Sequence, residues 1–164
     1  MSLKDLIKLI EQWAIDRGLD KNGTVEGQLI KTAEEVAELI IGISKGNLKL
    51  IKDSIGDVFV TLVIGNMLDS QFDVEKCISE ARDSFIKPER KIDLILFITH
   101  YLRSLLRFES YAEFEFFRMT EGLYDICDWY KLDFTVCVET AYNEIADRKG
   151  RVIDGTFVKE EDMI

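Results

Sequence analysis

The chain has 164 residues, enough for one domain with a sizeable core, and its 31 acidic against 21 basic side chains give a formal charge of −10. An acidic balance of that size argues against nucleic acid as a main partner, because binding a phosphate backbone needs a basic face. Hydrophobic residues make up 47% and charged ones 32%, and no apolar run reaches the roughly 18 residues a bilayer span needs, so no membrane partner is expected. The three cysteines, Cys77, Cys127 and Cys137, are odd in number and fall in helical patterns. They suit buried thiols in a reducing cytoplasm, and Met1-Ser2-Leu3-Lys4-Asp5 carries no signal-peptide run. One proline and little strand-like alternation predict an all-α protein.

Residues 3–17 read as an amphipathic helix on Leu3, Leu6, Ile7, Ile10, Trp13 and Ala14, ended by Gly18. Trp13 lies on the apolar stripe and is a core residue or the wall of a base pocket. A loop over 18–24 ends at Thr24, a good N-cap. The next helix repeats Leu29, Ile30, Ala33, Val36, Ala37, Ile40 and Ile41 at three- and four-residue steps, and it carries Glu34-Glu35-Val36-Ala37-Glu38. At about 100° per residue, Glu35 and Glu38 share one side, as do Glu34 and Glu38. Gln28 and Lys31 precede Glu35 by two turns and one turn and can face the same cleft; Lys31 meets a phosphate there or pairs with Glu35.

Lys45-Gly46-Asn47 stops this helix and starts another, about 48–69, in which Asp53 and Asp57 lie one turn apart. So short a link predicts antiparallel neighbours with their acidic turns in reach of each other. Gly56 in mid-helix costs up to about 1 kcal/mol against alanine, which suggests close approach of a neighbour or room for a ligand; a neutral packing glycine is the other reading. Like charges so placed repel, and a hard divalent cation with oxygen ligands would offset the repulsion. A solvated acidic face is the other reading of the same pattern.

Beyond residue 71 a helix is predicted from Phe72-Asp73-Val74 to about Phe85, broken by Lys87-Pro88-Glu89. A strongly apolar helix follows from Ile92 to Phe108, then an aromatic-rich segment over 110–130, whose aromatics suit a core or a subunit interface. His100, the single histidine, has no partner in an ExxH pair and is read as structural. Phe72–Ala81 aligns with Leu132–Ala141, with Asp, Cys and Ala coincident. On the same offset Lys31 falls on Lys91, but Glu34, Glu35 and Glu38 fall on Leu94, Ile95 and Ile98. Either a helical unit is repeated with its carboxylates lost, or two amphipathic helices agree by chance. The last helix, about 133–149, carries Asn143, Arg148 and Lys149 before a C-cap at Gly150. Residues 151–164 read as an extended tail, mobile or packed on a partner subunit.

Glu34-Glu35-Val36-Ala37-Glu38, followed after a gap by Ser54-Ile55-Gly56-Asp57, resembles the EExxE…ExxD signature of the all-α NTP pyrophosphohydrolases, the MazG-like family with its dimeric dUTPase relatives. Ala141-Tyr142-Asn143-Glu144-Ile145-Ala146-Asp147-Arg148-Lys149-Gly150 looks like the last helix of the phage-type and Gram-positive-type members. The likeness covers residues 1–66 and 132–160. It implies one antiparallel helical bundle over 1–150, with residues 71–130 an insertion or second helical unit. It implies cleavage of a (d)NTP to (d)NMP and pyrophosphate with Mg²⁺, or Mn²⁺. Glu35, Glu38 and Asp57 would be metal ligands, with Glu34 or Asp53 completing the set or orienting the attacking water. Asn143 would contact sugar or base; Arg148, Lys149 and Lys31 would meet phosphate, and Trp13 the base. For Arg148 and Lys149, charge complementarity at a helix C-terminus is the competing account. The family carries Glu where this chain has Ser54, and Asp53 is one residue away. A homodimer or homotetramer is expected, and the alternative to an enzyme is a catalytically degenerate nucleotide-binding or oligomeric interaction module.

Overall fold

A computed structural model describes residues 1–84 and 87–163. Among the described residues helices account for 75% and the sheet is a single pair of strands, so the all-α expectation holds. In chain order the elements are α1 (Leu3–Asp16), α2 (Leu19–Asn22), α3 (Val25–Lys45), α4 (Leu48–Leu68), α5 (Val74–Arg82), α6 (Lys91–Phe108), α7 (Glu113–Tyr130) and α8 (Phe134–Ala146). Strands β1 (Gly150–Ile153) and β2 (Thr156–Lys159) and a 3-10 turn (Glu160–Asp162) follow. Among the described residues no helix is long and apolar enough to cross a membrane.

Local chemistry sets the helix starts. Ser2, Thr24, Asn47, Asp73 and Asp133 each present a side-chain oxygen to a backbone N–H in the first turn of α1, α3, α4, α5 and α8. Gly46, at φ +62°, takes the left-handed conformation that closes α3 one residue before Asn47 caps α4. Helix α4 is the centre of the molecule. Ile51, Ile55, Val58, Phe59, Leu62 and Val63 are fully buried on it, and α1, α3, α7 and α8 all pack against it. Each such side chain contributes about 1.5–3 kcal/mol of burial, which makes this helix the main source of stability. Gly56 does serve close approach: a Cβ there would strike the Cys137 carbonyl and Ala141 of α8. Asn66, buried near the end of α4, accepts from the Phe72 N–H and donates to the Phe72 carbonyl, closing the turn into α5.

Helices α3–α5 and α6–α8 follow one plan. Within each set the first two helices pack together, α3 on α4 and α6 on α7. The third helix crosses to the other set: α8 lies on α4 and α5 lies on α7, while α3 touches α6. Gln71 (φ +52°) and Lys131 (φ +58°) are both left-handed two residues before the capping Asp73 and Asp133. Cys77 and Cys137, and Ala81 and Ala141, are buried at matching places, and all three cysteines are free thiols.

Several expectations need correction. The 18–24 segment holds a helical turn, α2, because Leu19 is buried and anchors it. Helix α5 ends at Arg82; its expected end at Phe85 lies outside the described residues. Helix α8 stops at Ala146, since Gly150 opens β1 instead of capping a helix. The tail is a β-hairpin packed on its own chain, built on Asp154-Gly155, whose φ of +49° and +79° suit a two-residue turn. His100 is exposed on α6, edge-on to the Tyr101 ring.

Candidate functional site

A cleft of about 370 Å³ opens between α3, α4 and α8, closed at one end by α1 and β2. Helix α3 gives it Gln28, Lys31, Glu35 and Glu38, one stripe at helical spacing. Helix α4 gives Leu50, Asp53, Asp57, Val60, Thr61 and Ile64 on the facing stripe. Helix α8 adds Glu144 and Ile145, the link that follows it adds Arg148, and the hairpin adds Phe157 and Lys159. Trp13 and Leu19 complete the apolar end. A larger groove of about 680 Å³ beside α1, α5 and the start of α8 has only scattered polar groups and no comparable cluster of acids.

Five carboxylates and three cations thus share one wall, which leaves two negative charges in excess when all are ionised. Asp57 reports the strain. Burial, then the neighbouring charges of Glu35 and Glu144, push its carboxyl up to about 7, against the pull of Arg148. Burial also raises Glu35, opposed by Lys31. The Lys31 ammonium lies 3.4 Å from Glu35 and also binds Glu34. Burial lowers its pKa, but those two carboxylates outweigh burial and leave it raised.

Beneath the cleft runs a buried polar chain. Gln28 Nε2 donates to the Thr61 carbonyl at 3.1 Å, Thr32 Oγ1 meets Thr61 Oγ1 at 2.9 Å, and Tyr111 OH lies 2.6 Å from Thr32 Oγ1. Tyr111 comes from the start of the α7 segment and is wholly buried. Gly65 makes room for it, since a Cβ there would come within 2.3 to 2.4 Å of the phenol ring carbons.

Of the residues singled out in the sequence, Glu35, Glu38, Asp53, Asp57, Lys31, Arg148 and Trp13 come together in this cleft. Glu34 lies outside it, exposed and paired with Lys31. Asn143 and Lys149 are exposed and do not line it; at the end of α8 the cleft is faced by Glu144 and Ile145, and just past the helix by Arg148. Trp13 is largely committed: its Nε1 donates to the Ile145 carbonyl at 2.7 Å, Arg17 lies over its ring and Phe157 meets it edge-on. Ser54 is buried, its hydroxyl without a hydrogen-bond partner among the described residues, and the acid on the cleft wall is Asp53. The sequence reading missed Glu144, Thr61, Phe157 and Lys159. Within the helix the sequence predicts over about 133–149, choosing Arg148 already implies Glu144, one turn earlier on the same face.

The donors suit a hard divalent cation. All five acids offer oxygen, and the excess of two negative charges is the charge such an ion brings. Among the described residues, however, no group of three or more His, Cys, Asp or Glu side chains is placed so as to hold a metal ion.

No protein-family model matches the chain, and no solved structure matches it. It is similar to an uncharacterised 18.2 kDa protein from the rep-hol intergenic region of Haemophilus phage HP1 (strain HP1c1), 53% identical over 62 residues. The match covers 38% of this chain and 38% of the phage protein, so the chain spans well under half the length of that relative.

Proposed function

We propose that the protein is a cytoplasmic, metal-dependent nucleoside triphosphate pyrophosphohydrolase of the MazG-like kind, cleaving a (d)NTP to (d)NMP and pyrophosphate. The observation that carries this reading is the convergence of Glu35, Glu38, Asp53 and Asp57 from two antiparallel helices with Lys31 and Arg148 in one cleft. Glu35, Glu38 and Asp57 would hold Mg²⁺, with Asp53 in place of the acid the family carries at Ser54. When bound, the ion supplies Lewis acidity toward the phosphate oxygens and the attacking water. Lys31 and Arg148 orient the phosphates and offset their charge. Glu34 points away, so Asp53 or Glu144 is left to orient the water and take its proton. Positioning and charge neutralisation provide most of the acceleration in such transfers.

The test is pyrophosphate release from a panel of NTPs and dNTPs, each with and without Mg²⁺. Metal-dependent release is expected, and Glu38→Gln should abolish it. Silence across the panel from folded protein would overturn the enzyme reading. It would favour the second one, a nucleotide-binding or oligomeric interaction module, which draws on the buried Ser54 and on the engagement of Glu35 by Lys31.

A further inference from the structure

The C-terminal hairpin is held down at both ends. Its turn sits on the start of α3, where the Thr24 N–H donates to the Gly155 carbonyl at 3.0 Å. Gly27 leaves space for Thr156, whose hydroxyl would lie 2.5 Å from a Cβ there. At the other end Arg17, just past α1, donates from Nε and Nη2 to the Arg148 carbonyl at 3.0 and 2.9 Å, beside the last rung of the hairpin's ladder, where the Glu160 N–H donates to the Lys149 carbonyl. Between these points Phe157 and Lys159 are two residues apart on β2, so both side chains face the same way, into the cleft. Gly150, opposite Lys159 in the ladder, admits the Phe157 ring, which a Cβ there would meet at 2.5 Å. The hairpin is therefore a wall of the cleft, with an apolar group and a cation placed in order along it.

Lys31 is already engaged by two carboxylates. Among the described residues, neither Arg148 nor Lys159 makes an ion pair. Both also border an outer groove of about 620 Å³, together with Lys149 and the acids Glu144, Asp147, Glu160 and Glu161, so they stand where the inner cleft meets that groove. Two cations from different elements, outside any ion pair among the described residues and lining one cleft with Trp13, Leu19 and Phe157, fit a ligand that carries both a ring and a phosphate chain.

We propose that the hairpin is part of the ligand site: Lys159 acts with Arg148 as the seat for the terminal phosphates of a phosphoanhydride, and Phe157 bounds the place of its ring. The identity of the ligand as a nucleotide rests on the function proposed above; the anion seat does not. The probe is inorganic pyrophosphate with Mg²⁺, titrated calorimetrically into the whole chain. Wild type should bind it, Lys159→Ala should weaken binding at least tenfold, Lys159→Arg should recover most of the loss, and Lys131→Ala, far from the cleft, should stay within twofold. Unchanged melting temperature would show that Lys159→Ala keeps the fold. Failure of wild type to bind, or equal binding by Lys159→Ala, would overturn the seat. Lys159-dependent binding of pyrophosphate beside a silent nucleotide panel would uphold the seat and overturn only the hydrolase.

Discussion

The two halves of the molecule treat buried carboxylates in opposite ways. In the cleft of α3, α4 and α8, Asp57 faces other acids and has Arg148 only at a distance; the wall stays open and over-charged. At the corresponding place between α6, α7 and the end of α5, Glu121 is 1% exposed, yet it is satisfied. Arg118 binds it and Ser84 donates to it at 2.6 Å, while the guanidinium sits over Phe97 and Tyr101 and donates to the Tyr101 hydroxyl. One half spends a cation and two aromatic rings to close the space. The other leaves charges unpaired and a cavity beside them. A protein built for stability alone would close both, so the open half is where a ligand is to be sought.

Substitutions can break this contrast from either side. Arg118→Ala should cost the most, about 3–5 kcal/mol, because it strands a buried carboxylate; urea denaturation reads the loss. Asp57→Asn should do the reverse. The folded-state pKa of Asp57, about 7, is above the ordinary 3.8, so between these values the folded protein holds a proton the unfolded chain has released. Stability from this group is full below about pH 4 and falls as pH rises towards 7. The Asn variant should match wild type at pH 4 and exceed it by on the order of 3 kcal/mol at pH 8, in metal-free buffer. Equal slopes of stability against pH would remove Asp57 as the strained group. Gly65→Ala should cost about 2 kcal/mol by driving Tyr111 from its slot, measured by thermal melting. Tyr111→Phe keeps the ring and removes only the hydroxyl bond to Thr32, so about 1 kcal/mol is expected.

Much of this was legible in the sequence because it is local. Gly46 followed by Asn47 writes a stop and a start, and helical phase puts Glu35 with Glu38 and Asp53 with Asp57; a short link then brings the pairs face to face. Asn143 and Glu144 could not be separated that way. Which of them meets the cleft depends on how α8 is rotated on α4, and that follows from the contact of Gly56 with Cys137 and Ala141, across a long stretch of chain. The hairpin had a readable signal, Asp154-Gly155 between Val152-Ile153 and Phe157-Val158. The charged run from Lys159 to Asp162 outweighed it, and the segment read as an extended tail, mobile or packed on a partner subunit. Arg118 and Glu121 were invisible as a closed pair, since their value comes from Ser84 and Tyr101 on other elements.

The crossing of the third helices has a consequence for how the chain folds. Because α5 completes the second set and α8 the first, neither set can bury its own core, and the arrangement is a segment exchange within a single chain. A break between the sets would yield two halves that fold only when mixed, each lending the other its last helix. The site inherits this dependence: its walls come from residues as far apart as Trp13 and Lys159, so it forms in the same cooperative step as the whole domain.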